Sequence, residues 1–439
     1  MRQSLRVTIF TTLMSLLCLT SCGGGGLIGT ANTGTNGGGG GEGGSGNGNN
    51  GSGPTGPNVQ AVTIDSGPSA VVNSNRAVVN VLYTSVTVCS PGSSTNCQTI
   101  DHIQVDTGSS GLRVAAAALS IQLPLQIDAN GNTIAECFPS TNESRWGPFR
   151  QADIKIGGET ANKQAVQVIG ESAFAVPATC PAVNVSGDAA IIALAANGIL
   201  GIGPYLQDCG AACLQQGLGI YYTCNSKNIC ADSAMPLALQ IANPVASFAT
   251  DNNGTIVELP AVSGPGRAGN GTLIFGIGTQ SNNGLGHATV FEPGTSRTFS
   301  LTYKNSILDQ GVVSSGLNAY YFPDDTLSAC AASGPTAKAP GFFCPPATLN
   351  LHASLNGANG TVGNVDFEVD NAESLFKSAV PAVAPNLAGP SQGGELGNGL
   401  IFDRNRTFEL GLPFYFGRTV YTGIEGRNSS AGMGPYVAF

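Results

Sequence analysis

Charge is scarce in this chain of 439 residues: Asp, Glu, Lys and Arg together make up 10% of it. Basic residues number 18 against 27 acidic ones, for a formal net charge of −9. A nucleic-acid interface needs clustered Lys and Arg to meet backbone phosphates, and no basic stripe exists here. Histidine is scarcer still. His102, His287 and His352 stand far apart, and no H-E-x-x-H pair occurs, so a histidine-based metal centre has no foundation. A serine hydrolase would need a nucleophile elbow accompanied by triad partners, which the sequence does not supply. No apolar run in the body of the chain approaches the length of a bilayer-spanning helix.

The chain opens on MRQSLRVTIFTTLMSLLCLTSC. Arg2 and Arg6 precede an apolar core from Val7 to about Leu19, the pattern of a secretory signal over residues 1–21. Leu19-Thr20-Ser21-Cys22 resembles the bacterial lipobox, which implies lipid attachment at Cys22 and a membrane as partner through that anchor. Gly23, where Asp would signal retention at the inner membrane, favours the outer one. Residues 22–58 follow as a tether. Half of the 36 residues after Cys22 are glycine, and Glu42 is the only charge. Such a segment cannot offset its ordering entropy by burial, and its r.m.s. reach is roughly 30–35 Å.

From Val59 the composition changes. Short β-type runs such as RAVVNVLYTSVTVC, IDHIQVDTG, QADIKIGG, GTLIFGIG and VDFEVD end in Gly, Pro or Asn. Helical stretches are few, and no βαβ rhythm appears. The expectation is an all-β body of closed or sandwiched sheets, divided into lobes at 59–250 and 251–439. With Cys18 and Cys22 set aside, ten cysteines remain, and an even number in an exported chain reads as disulfides. Close spacing suggests Cys89–Cys97, Cys330–Cys344 and two bridges among Cys209, Cys213, Cys224 and Cys230, with Cys137–Cys180 closing a longer loop. The rival for 209–230 is a zinc site, but C-x3-C-x10-C-x5-C does not match a zinc ribbon. No cofactor is expected.

Asp106-Thr107-Gly108-Ser109-Ser110 follows the apolar strand HIQV. Alone, a D-T-G triplet is only a turn signal. Here it resembles the first active-site loop of pepsin-like aspartic peptidases, and further landmarks of that family follow in order. Trp146-Gly147, before PFRQADIKIGG, resembles the Tyr-Gly of the substrate-covering flap. Ile199-Leu200-Gly201 resembles the hydrophobic-hydrophobic-Gly element behind the first loop, and Leu410-Gly411 its counterpart in the second lobe. VDTGSSGLR, NGILGIGP, GIGTQSNN and GLPFYFGR also resemble motifs of a group of bacterial exported proteins of unknown function. The resemblance implies a bilobal pepsin-like fold, two pseudo-repeated β lobes with a cleft between them. It implies a peptide or protein ligand in the cleft, in contact with Thr107, Gly108, Ser109, Trp146, Gly147, Ser315 and Gly316. A monomer is expected.

Pepsin chemistry needs one carboxylate from each lobe, sharing a proton. Asp106 is the first. Two registers compete for the second. In ILDQG, Asp309 would keep the acid; in VVSSGLNAYYFP, Ser314-Ser315-Gly316 falls on D-T-G, Pro323 falls on the family's closing proline, and the acid is lost. Asp106 lies 95 residues before Gly201, Ser314 lies 97 before Gly411, and Asp309 lies 102 before it. The spacing favours Ser314, and with it a degenerate, non-cutting peptidase over an active endopeptidase using Asp106 and Asp309. Trp146 is expected to cap a bound ligand at the flap tip, His102 to be structural, and Tyr320, Tyr321 and Phe322 to pack beneath the second lobe.

Overall fold

The computed structural model describes residues 56–439, apart from 75, 139–144, 182–184, 333–337, 378–379, 392 and 397–399. The signal-like segment, Cys22 and most of the tether lie outside the described residues. The tether's expected last residue does not. Asn58 is fully buried; its side-chain amide donates to the Phe275 carbonyl at 2.7 Å, and its side-chain oxygen accepts from Asn282 at 2.9 Å. The folded body therefore begins slightly before Val59, because a polar side chain placed inside must be paired there.

Strands dominate, and among the described residues most of them gather into one sheet of 15 strands and one of 7. The larger sheet crosses the expected lobe boundary. Val59–Ile64 pairs antiparallel with Gly269–Phe275, which also pairs with Gly254–Leu259. The smaller sheet belongs to the C-terminal half and shows the two-residue period of a half-buried strand. In Val362–Val369 the side chains of Val365, Phe367 and Val369 are buried while Asp366 and Glu368 are exposed. Phe322, with no exposed surface, stacks on Phe408 at 5.1 Å inside this half. Tyr320 is buried with it, whereas Tyr321 is only half-buried.

One three-strand arrangement occurs twice. In the N-terminal half, Gly198–Ile202 runs parallel to Cys97–Asp106 and antiparallel to Ser110–Ala115, threading between the two arms of the loop that carries Asp106. In the C-terminal half, Thr407–Leu410 runs parallel to Ser306–Val313 and antiparallel to Tyr320–Tyr321. The registers correspond: Val105 faces Leu200 as Val313 faces Leu410. The next residues are Asp106 and Ser314. A glycine, Gly201 within the first threading strand and Gly411 just after the second, stands where the loop backbone comes too close for a side chain. A Cβ on Gly411 would lie 2.2 Å from the Ala319 carbonyl oxygen.

Five disulfides join Cys89–Cys97, Cys137–Cys180, Cys209–Cys213, Cys224–Cys230 and Cys330–Cys344. The two bridges within 209–230 thus join cysteines that follow one another in the chain, and those four cysteines are not free as zinc ligands. Among the described residues no helix is long and apolar enough to cross a membrane.

Replacing Gly411 by alanine forces backbone apart at the core of the second repeat. Gly411→Ala should lower the unfolding free energy by about 1–3 kcal/mol. Gly264→Ala, where a Cβ meets nothing within 4 Å, should stay near zero. Urea midpoints of the two variants check this.

Candidate functional site

The two loops meet tip to tip. The Thr107 backbone N–H donates to Ser315 Oγ at 3.2 Å, the Ser315 N–H donates to Thr107 Oγ1 at 3.0 Å, and Ser315 Oγ donates to the Val105 carbonyl at 2.7 Å. Both hydroxyl residues are buried, and the Tyr415 hydroxyl lies 2.7 Å from Thr107 Oγ1. These bonds join positions 208 to 210 residues apart in the chain.

The cross-bonding sets Asp106 opposite Ser314. Ser314 Oγ donates to Asp106 Oδ1 at 2.9 Å, the Gly108 N–H donates to the same oxygen at 2.8 Å, and Ser109 Oγ donates to Oδ2 at 2.6 Å. Ser314 Oγ in turn accepts the Gly316 N–H at 3.1 Å. The glycines are reciprocal. A Cβ on Gly108 would lie 2.5 Å from Ser314 Oγ, and one on Gly316 would lie 2.3 Å from Asp106 Oδ1. Chemically, the centre holds one carboxyl engaged by two hydroxyl donors and one amide donor. A serine hydroxyl can donate to it, but cannot share an acidic proton with it.

Asp309 is not brought to this centre. It lies five residues before Ser314, roughly 16 Å along an extended strand at ~3.3 Å per residue. There its carboxylate pairs with Arg406, accepting Nε at 2.9 Å and Nη2 beside it. That hydrogen bond holds the Asp309 carboxyl below its ordinary range. The alternative register fails because strand pairing puts Gln310 opposite Thr407, so residue 309 falls before the paired segment, well short of the loop.

Trp146 is not at a hairpin tip. It is the second residue of the strand Arg145–Ile156, lies opposite Cys137 and is 4% exposed. Its indole N–H donates to the Phe174 carbonyl at 2.9 Å, and its ring meets Tyr222 edge-on at 5.2 Å. Gly147 beside it is packed against backbone, with a Cβ there falling 1.9 Å from the Val168 carbonyl oxygen. The hairpin expected to act as a flap is built into the sheet. Its first strand, Thr133–Phe138, pairs on the outer side with Tyr221–Cys224. His102 keeps company with Asp65 at 3.4 Å and Asp101 at 3.3 Å, and these acids raise its pKa, the Asp65 hydrogen bond most.

Two groups near the loops carry no sequence motif. The first is a buried ionic cluster. Arg113 is fully buried, donating to Glu136 at 2.8 Å and 3.3 Å, to Asp208 at 3.2 Å and to the Ser110 carbonyl at 2.7 Å. The Tyr221 hydroxyl also donates to Asp208. Two carboxyls face one guanidinium, so burial, and then the neighbouring Glu136, push the Asp208 carboxyl well up. The only sequence hint was an arginine inside an apolar strand, GLRVAAA.

The second is Glu409, on the threading strand of the second repeat. It is 9% exposed, and burial pushes its carboxyl up to about 7. It lines a cavity of about 680 Å³ that begins at Gly316 and Leu317. Gln104, on the strand leading to Asp106, lines the same cavity and donates its amide to the Gly316 carbonyl at 3.0 Å. A carboxyl raised on folding binds its proton more tightly in the folded state. Its contribution is therefore full below the unfolded value near 4.5 and is lost as pH rises to about 7. Compared with Glu409→Gln, the native protein should lose about 3 kcal/mol of stability between pH 4.5 and pH 7.5. Denaturant titrations of both proteins across that range read the difference, and parallel pH profiles would count against it.

Among solved structures, the chain is similar to an aspartic proteinase from Irpex lacteus, with 15% identity and a TM-score of 0.45 over 86% of this chain and 96% of that one. No curated protein matches it. A family model described as a protein of unknown function, DUF3443, matches residues 54–439, and the chain belongs to that family.

Proposed function

We propose that this is an exported, lipid-anchored binding protein, a degenerate aspartic peptidase that holds a peptide or protein segment in the cleft between its lobes without cutting it. The observation that carries the reading is the Ser314 hydroxyl hydrogen-bonded to Asp106 at 2.9 Å, where the second repeat would have to supply an acid. Peptide hydrolysis of this type needs one ionised carboxyl to take a proton from water and one protonated carboxyl to polarise the scissile carbonyl. A serine beside Asp106 can do neither, while the paired loops and the adjoining cavity remain. The disulfides fit an oxidising compartment outside the cytoplasm. Retention at a membrane rests on the lipobox-like Leu19–Cys22 and the glycine-rich tether.

Ser314→Asp should create a proton-sharing pair and with it measurable cleavage of unfolded protein substrates near pH ~4. The unmodified protein should be slower by roughly three orders of magnitude or more. A urea midpoint close to the native one confirms that the variant folds. Robust cleavage by the unmodified protein, abolished by Asp106→Ala, would overturn the reading. For the anchor, cells fed radiolabelled palmitate should label the native protein and not Cys22→Ser; equal labelling of both would reject attachment at that cysteine.

A further inference from the structure

Glu409 has no hydrogen-bond partner for its carboxyl among the described residues, although nine-tenths of it is removed from solvent. A buried polar group left unpaired costs about 1–3 kcal/mol. Its remaining exposed surface opens into the cavity beside Gly316 and Leu317. Apolar side chains, Val79, Leu317, Phe342, Phe376 and Val380 among them, share the walls with polar groups such as Gln104 and Asn318. The titratable residues lining it are Glu409, Tyr321, Arg76 and Lys338. Tyr321 comes from the neighbouring strand, and burial keeps its phenol neutral. Arg76 and Lys338 are exposed at the rim, where each donates to a backbone carbonyl, that of Ile192 and that of Lys377 respectively.

Below about pH 7, where Glu409 keeps its proton, a cavity with cations at its mouth repels a cationic ligand and suits one that brings hydrogen-bond acceptors. An extended peptide brings a carbonyl at every residue, and each one buried needs a donor. We propose that this cavity takes an apolar peptide segment flanked by an acidic residue, and that the Glu409 carboxyl donates its hydrogen to a backbone carbonyl of that segment. The assignment rests on the reading that the protein binds a peptide, and it places part of that peptide in a cavity that touches the paired loops at Gly316. It adds the class of peptide and the group that recognises it.

The test uses the full folded chain and two pools of capped, fluorescent octapeptides with randomised apolar positions, one with a fixed Asp and its twin with Lys. The native protein should prefer the Asp pool, and its affinity should fall about tenfold from pH 6 to pH 8 as Glu409 loses its proton. Glu409→Gln keeps a donor that does not titrate, so it should bind with a flat pH profile, whereas Glu409→Ala should bind weakly at every pH. Affinity that rises with pH, a preference for the Lys pool, or loss of binding in folded Glu409→Gln would each overturn the assignment, as they mark a carboxylate paired with a cation. An unchanged pH slope in Glu409→Gln would remove Glu409's role alone. No binding of either pool at any pH would remove the peptide reading with it.

Discussion

The structure depends on the reciprocal hydrogen bonds by which the loops at Thr107 and Ser315 hold one another. Each backbone N–H finds a partner in the hydroxyl of the other loop, and Ser315 Oγ also satisfies the Val105 carbonyl. These groups are buried, so a loop moved away would leave several polar atoms unpaired at about 1–3 kcal/mol each. The constraint propagates. It brings Gly108 against Ser314 and Gly316 against Asp106, which excludes side chains at both glycines. It also fixes the arms of both loops around the threading strands beside Gly201 and Gly411. Serine at 314 fits this arrangement without loosening it, since its hydroxyl both accepts the Gly316 N–H and donates to Asp106. Architecture and catalysis are thus separable here: the loop pairing does not require that the second acid be present.

A second constraint acts on what lies over the loops. The strand after the Asp106 loop supplies Arg113, the hairpin supplies Glu136, and the insertion between Gly203 and Asn243 supplies Asp208 and Tyr221. Removing any one member strands the others without solvent, which is why breaking a buried ionic group is costly even where forming it gains little. The cluster and the added strand Tyr221–Cys224 tie the hairpin from Thr133 to Ile156 to the body of the lobe. A hairpin paired along its outer edge, with its tryptophan buried, does not swing as a free flap.

What was legible in the sequence has a common character. The D-T-G-S-S pentapeptide, the Leu-Gly elements and the near-equal spacings of 95 and 97 residues are local patterns or pseudo-repeat distances, and chain order alone carries them. Cysteine neighbours paired as spacing suggested because short loops close easily. Other features depend on contacts between distant segments. Arg113 meets Asp208 from 95 residues away, and nothing near either residue announces it. Trp146 was placed by its resemblance to a flap motif, but its surroundings are decided by Phe174, Tyr222 and the Cys137–Cys180 bridge. Asn58 was assigned to the tether by composition, and its burial depends on Phe275.

Glu409 shows how far the pseudo-repeat can be pushed as an argument. Its counterpart in the first repeat, the residue before Leu-Gly, is Ile199, a half-buried apolar side chain. The second repeat thus lacks an acid at position 314 and carries one on the strand beside it. This is not a relocated catalytic partner. Two carboxyls act as a pair only when a proton passes directly between them, and the Asp106 carboxylate is engaged by Ser314, Ser109 and Gly108 while Glu409 bonds to none of these. One acid is held among fixed donors, and the other is held by desolvation alone. Glu409, which lines the cavity beside Gly316 and shares no hydrogen bond with Asp106, is equipped to recognise hydrogen-bonding groups on a ligand, since the step that would cut it needs both acids on the same water.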